Sequence, residues 1–79
     1  MPARIVVFSR PDCHLCDDAH DVVARVAAEV GVDWEQRNIL DDAEWTRRYH
    51  DFVPVVLVDD RMVGYWRIEE ADLRAALKA

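Results

Sequence analysis

The sequence predicts one α/β domain in which strands and helices follow the order β-α-β-α-β-β-α. Three observations carry that reading: an unbroken apolar run, Ile5-Val6-Val7-Phe8; a stretch behind it whose apolar residues recur at helical steps and stop at Gly31; and a second apolar run, Val55-Val56-Leu57-Val58, opened by Pro54. A chain of 79 residues holds a single domain, residues 1–79. At this size it buries only about 60% of the surface that the unfolded chain exposes, so every element must contribute to one core.

Residues Arg4 to Phe8 read as a central strand, because continuous, partly β-branched apolar sequence suits a strand covered on both faces. From Leu15 the apolar side chains fall at 15, 19, 22, 23, 26, 27 and 30, steps that define one helix face, and Gly31 stands where a left-handed C-cap belongs. Val32 to Ile39 alternates, with Val32 and Trp34 on one side and Asp33, Glu35 and Arg37 on the other, as in an edge strand with a solvated side. Asp41 with Glu44 forms an acidic variant of a capping box for a short helix through about Tyr49, which puts Trp45 and Tyr49 on one face. Pro54 is tolerated as the first residue of a strand. Asp59-Asp60 reads as a tight turn into an antiparallel partner, Arg61 to Trp66. Glu69 to Lys78 is a final helix with acids in its first turn and its lysine in the last, as the helix dipole favours.

Composition removes several function classes. Lys and Arg number 10 against 16 Asp and Glu, a net charge of -6, which is the wrong electrostatic footprint for nucleic acid or anionic lipid. Gly31 and Gly64 are the two glycines, too few for a phosphate loop or a dinucleotide fingerprint. Ser9 and Thr46 are the aliphatic hydroxyls, and neither sits in a nucleophile elbow. No apolar run is long enough for a signal peptide or a membrane span, so the expected location is the cytoplasm. In a reducing compartment two cysteines are redox-active, metal-binding or buried thiols rather than a structural disulfide.

Cys13-His14-Leu15-Cys16 is the constellation that carries chemistry. Two cysteines scattered at random in such a chain would fall three apart only about 2 to 3% of the time, so the spacing itself is informative. The pair follows a buried strand and opens the longest helix, where unpaired backbone N–H groups can hold a thiolate. Helical geometry puts Cys16 on the face of Ala19, Val23 and Ala27, whereas Cys13 precedes the first full turn and looks outward. Cys13 is therefore the expected nucleophile, and Cys16 the thiol that attacks a mixed disulfide on Cys13. The helix dipole, Arg10 and a protonated His14 favour the Cys13 thiolate. Asp12, Asp17, Asp18 and Asp21 oppose it, and the stretch from residue 9 to 21 carries one Arg against four Asp. The expectation is a moderately acidified cysteine and a reducing couple. His20 and His50 taken singly read as surface or half-buried residues, and Trp34, Trp45 and Trp66 as core or groove-lining aromatics.

Residues Ile5 to Cys16, ending Ser9-Arg10-Pro11-Asp12-Cys13-His14-Leu15-Cys16, resemble the opening of a glutaredoxin. With Val53-Pro54-Val55, the chain is similar over essentially its whole length to the small bacterial glutaredoxin-like proteins of the thioredoxin fold. The resemblance implies a four-stranded mixed sheet in the order 2-1-3-4 flanked by three helices, one on one face and two on the other. It implies a cis Val53–Pro54 bond facing the dithiol, with the Val53 backbone pairing with bound thiol substrate. Arg10 matches a basic residue that in glutaredoxins contacts a glutathione carboxylate. Two places depart from the family pattern: His14 stands where proline is usual, and the paired glycines that bind glutathione shrink to Gly64, flanked by Val63, Tyr65 and Trp66. The acidic surroundings of the dithiol also oppose a tripeptide with two carboxylates.

Residues and resemblance together lead to the expectation of a monomeric thiol-disulfide oxidoreductase with Cys13 and Cys16 as its catalytic pair and Arg10, Val53, Pro54 and Gly64 contacting substrate. Its substrate would be a protein or small-molecule disulfide. Its electron donor would be glutathione, another low-molecular-weight thiol or a thioredoxin-reductase-type enzyme, with no metal or other cofactor required. The alternative is a non-catalytic module of the same fold whose cysteines bind metal or an iron-sulfur cluster, or sense redox state.

Overall fold

In the computed structural model, which describes residues 3–78, each element read from the sequence is present. They are β1 (Ile5–Ser9), α1 (His14–Val30), β2 (Trp34–Asn38), α2 (Ala43–Tyr49), β3 (Val55–Val58), β4 (Arg61–Tyr65) and α3 (Glu70–Lys78). The sheet runs β2-β1-β3-β4, with β1 parallel to β2 and antiparallel to β3, and β3 antiparallel to β4.

All five residues of β1 are buried because both faces of the sheet are covered. Ile5 and Val7 pack with Val23, Val26 and Ala27 of α1 and Leu73 and Leu77 of α3. Val6 and Phe8 point the other way, into a cluster with Ile39, Tyr49 and Val53. Two helices therefore cover one face and α2 the other, the alternation of side chains along β1 dividing the core in two. Tyr49 stacks on Phe8 at 4.6 Å and Trp45 meets it edge-on at 5.3 Å, so the i, i+4 pair on α2 grips one ring. On the opposite face, Arg74 bonds Glu29 at 2.7 and 3.1 Å and Arg25 bonds Glu70, which ties α3 to α1 at the surface.

Gly31 ends α1 as expected: at φ 82° and ψ 38° it takes the left-handed cap conformation, and its N–H bonds Ala27 O at 2.8 Å. The Asp59-Asp60 turn has φ of 50° and 68°, both positive as a type I′ hairpin requires.

Several boundaries differ from expectation for local reasons. Asp41 is not the cap of α2. Asn38 first caps a single 3-10 turn over Ile39–Asp41, and Asp42 then accepts from the N–H groups of Glu44 and Trp45 at 2.8 and 3.3 Å. Arg4 lies outside β1, where its guanidinium makes a two-pronged bond to Asp59. Strand β4 stops at Tyr65 because Trp66 turns to φ 61°. The polar side of β2 is not simply solvated: the Arg37 guanidinium lies over Trp45 and Phe8, 5.6 and 6.0 Å from their centroids, and caps the aromatic cluster.

Candidate redox site at the start of the first long helix

The register of the sheet positions the cysteines. Phe8, the penultimate residue of β1, pairs with Val55 at the start of β3, so the loop leaving β1 passes beside the Val53–Pro54 peptide. That loop turns at Asp12, φ 59°, a left-handed conformation that Asp tolerates better than most residues. Cys13 follows as the N-cap of α1, at φ -116° and ψ 109°. Its Sγ accepts the Cys16 N–H at 3.2 Å, and its carbonyl accepts the Asp17 N–H at 3.3 Å. A sulfur thus occupies the place where Ser, Asp or Asn normally satisfies the first free amides of a helix.

The two cysteines are joined in a disulfide with Cα atoms 5.2 Å apart. They differ sharply in exposure: Cys13 is half-buried, whereas Cys16 is 2% exposed. Both pack into the cluster that contains Phe8 and Val53. The Val53–Pro54 bond is cis, and both residues are buried.

A cleft of about 440 Å³ opens on one flank of the pair. Arg10, Asp12, His14, Asp17 and Gln36 are exposed around it, and the buried Ser9 and half-buried His20 line its inner side, with Gln36 Nε2 donating to Ser9 Oγ at 3.3 Å. Arg10 is therefore brought to the dithiol. Gly64 is not: it sits in β4 opposite Val56, and a Cβ there would meet only Ile68 at an ordinary 3.5 Å.

The chain next to Gly64 builds the opposite flank. Leu15, Tyr65, Trp66 and Arg67 share a shallow depression, and Phe52 stacks on Trp66 at 6.3 Å and meets Tyr65 edge-on at 5.5 Å. Trp66 is held by three bonds: its N–H to Pro54 O at 3.0 Å and Phe52 O at 3.3 Å, and its indole Nε1 to Asp51 O at 2.8 Å. The ring is nonetheless 50% exposed. Sequence reasoning named Trp66 as a core or groove-lining aromatic but did not find its grouping with Phe52 and Tyr65, because these come together only through the tertiary bonds to the 51–54 loop. It also left His20 and Gln36 out of the site.

Among the described residues no three His, Cys, Asp or Glu side chains converge to hold a metal ion, and no helix is long and apolar enough to cross a membrane.

Relatives of known structure share this architecture. A protein from Xanthomonas campestris solved by X-ray methods as a structural-genomics target is 32% identical and superposes with a TM-score of 0.77 over 94% of this chain and 95% of its own. The glutaredoxin grx-1 of Archaeoglobus fulgidus, 21% identical, matches in fold with a TM-score of 0.67 over 98% of this chain and 88% of its own. An uncharacterised Mycobacterium tuberculosis protein, Rv0508, is 30% identical across 91% of this chain and 79% of its own length. The family model described as glutaredoxin-like domain (DUF836) matches residues 4–78, and the chain belongs to that glutaredoxin-like family of the thioredoxin fold.

Proposed function

We propose that this protein is a thiol-disulfide oxidoreductase that reduces a disulfide in a partner protein. The observation that carries the reading is the placing of Cys13 Sγ at the N-terminus of α1, 3.2 Å from the Cys16 N–H, with Cys16 buried behind it. The free amides and the positive end of the dipole favour a thiolate on Cys13.

In the reduced protein the Cys13 thiolate attacks one sulfur of the substrate disulfide. The substrate S–S bond breaks, one substrate thiolate leaves and takes a proton, and a Cys13–substrate disulfide remains. Cys16 loses its proton and attacks Cys13 Sγ, which releases the second substrate thiol and closes the Cys13–Cys16 disulfide. Two electrons have then passed to the substrate. The cycle is completed by an outside thiol reductant, either glutathione, another low-molecular-weight thiol or a thioredoxin-reductase-type enzyme. The arrangement suits a monomer working in a reducing cytoplasm and needs no bound cofactor.

Val53 packs with both cysteines, and its carbonyl rather than its N–H, which bonds Tyr49 O at 3.1 Å, is the backbone group it offers to a bound thiol. Arg10 offers a charge to a substrate carboxylate. Two features favour a protein over glutathione: the exposed aromatic group of Phe52, Tyr65 and Trp66, and the aspartates around the cleft, which repel a small molecule with two carboxylates.

Disulfide reduction by the wild type, Cys13→Ser and Cys16→Ser, each supplied with glutathione or with thioredoxin reductase, tests the reading. Cys13→Ser should lose activity to background, and Cys16→Ser should accumulate a Cys13 mixed disulfide detectable by mass spectrometry. A wild type that turns over with neither donor and purifies with stoichiometric zinc or iron would instead establish a binding module.

A further inference from the structure

Among the described residues one buried side-chain polar atom has no hydrogen-bond partner, and it is Nε2 of His20, on the inner wall of the cleft beside the dithiol. Buried polar groups are nearly always paired, so an unpaired one points to a partner that another state of the molecule supplies. His20 stands four residues after Cys16 on α1, which puts the two side chains on one helix face with Cβ atoms about 5–6 Å apart. Helical side chains lean toward the N-terminus, so the imidazole leans back over the turn that carries Cys16. Trp34 of β2 backs the ring, with centroids 6.0 Å apart. In the disulfide form Cys16 has no hydrogen to offer Nε2, and reduction creates that donor.

We propose that His20 is the base that takes the Cys16 proton when the mixed disulfide on Cys13 is resolved, an assignment that rests on the reading of the dithiol as a reductant. Cys16 is 2% exposed, so bulk water collects its proton slowly and a base beside it is needed at neutral pH. The other ionisable groups of the cleft, Arg10, Asp12, His14 and Asp17, are all exposed on its rim, and β2 adds only the neutral Gln36 and Asn38. Neutral imidazole has one donor and one acceptor nitrogen, and the proposed role places the proton on Nδ1 and makes Nε2 the acceptor. In the step, the Cys16 S–H proton moves to Nε2, and the Cys16 thiolate attacks Cys13 Sγ. The Cys13–substrate bond breaks, and the departing substrate thiolate takes its proton from the imidazolium or from water. His20 returns to its neutral form, ready for the next cycle.

The test is His20→Gln in a rapid-mixing experiment that starts from the Cys13 mixed disulfide and follows release of the substrate thiol from pH 6 to pH 10. Resolution should slow at least tenfold at pH 7 and recover toward the wild-type rate at alkaline pH, where hydroxide replaces the missing base. The preceding attack by Cys13 should keep its rate. A purely structural role would slow resolution equally at every pH. Imidazole nitrogen NMR at fixed pH provides a readout on the folded wild type: the His20 Nε2 signal should move on reduction, and should not move when reductant is added to Cys16→Ala. Superimposable pH profiles, or an unmoved Nε2 signal in the wild type, overturn the role of His20 while leaving the dithiol chemistry standing. A wild type that reduces no disulfide defeats that chemistry instead, and the NMR experiment then decides His20 by itself.

Discussion

On one flank of the dithiol lies a polar cleft walled by Arg10, Asp12, Asp17 and His20, and on the other an apolar shelf of Leu15, Phe52, Tyr65 and Trp66. The cleft side is charged, with the buried Ser9 and the half-buried His20 behind its rim. The aromatic part of the shelf, Phe52, Tyr65 and Trp66, contains no carboxylate and no basic side chain, yet it is held rigidly. Trp66 keeps a positive φ, a conformation that costs a bulky residue of the order of 1–3 kcal/mol, and three hydrogen bonds offset that cost while leaving the ring in solvent. Exposed aromatic surface held at a backbone cost supports the proposed contact with a protein substrate. The proposed function divides the labour accordingly: on that reading the cleft tunes how the sulfurs react, and the shelf selects what reaches them.

The largest effect that can break this division is on the shelf. Trp66→Gly removes the ring but suits φ 61° and keeps both backbone bonds, so the fold should survive with a Tm within a few degrees of wild type. For a protein disulfide, KM should rise about tenfold with kcat little changed, the loss of one aromatic anchor worth somewhat over 1 kcal/mol. A small symmetrical disulfide that cannot span the shelf should be reduced at the wild-type rate. Equal losses on both substrates would show that Trp66 shapes the dithiol rather than holding a partner.

The cleft flank was far more legible in the sequence than the shelf, and the reason is range. Arg10, Asp12, Cys13, Cys16 and Asp17 lie within one loop and one helical turn, so spacing alone assembles them. The helix is equally local, since periodicity from Leu15 and the left-handed cap at Gly31 depend on neighbours a few residues away. The shelf depends on the Trp66 indole reaching Asp51 O, 15 residues back in the chain, and no periodic signal encodes that bond. His20 reads from the sequence as surface or half-buried, and it is half-buried. Its place beside the cleft emerges only when Trp34, from a different element, packs against it. The cap of α2 failed on ambiguity: Asp41 and Asp42 carry the same signal, and only the 3-10 turn formed by Ile39–Asp41 selects the second. The sheet order came from resemblance, and the two-faced burial of β1 agrees with it.

A smaller effect sharpens the role of the cleft. Asp12 and Asp17 both line it, and their charges oppose a thiolate on Cys13. The double variant Asp12→Asn, Asp17→Asn retains size, and Asn accepts the positive φ at residue 12. Thiolate formation, followed by absorbance at 240 nm in Cys16→Ser, should occur a few tenths of a pH unit lower, and the attack rate near neutral pH should rise about twofold. Added salt should narrow the gap, because exposed charges are screened. KM for the protein substrate should respond much less than it does to Trp66→Gly. A thiolate that forms at the same pH in both proteins would mean that helix amides and dipole alone set its acidity.

The smallest effect belongs to the far end of the sheet and serves as the control for both flanks. Asp59 closes the β3–β4 turn and accepts two bonds from Arg4, and the hydrogen bond from that guanidinium, with its charge, holds the carboxyl below the usual range. A carboxyl whose folded value is depressed stabilises the fold at pH above its unfolded value, and the contribution disappears as pH falls through the folded value. Asp59→Asn keeps a residue suited to φ 50° but removes the charge. Both partners are well exposed, so at pH 7 the Tm should drop by only about 1 to 3 °C. As pH falls through the depressed folded value and the wild-type carboxyl takes up its proton, the two proteins should come to melt together. Reduction of protein and small disulfides should be unchanged, because neither the cleft nor the shelf touches this turn. If Asp59→Asn altered KM as Trp66→Gly does, the shelf would be reporting the general stability of the sheet and not contact with a partner.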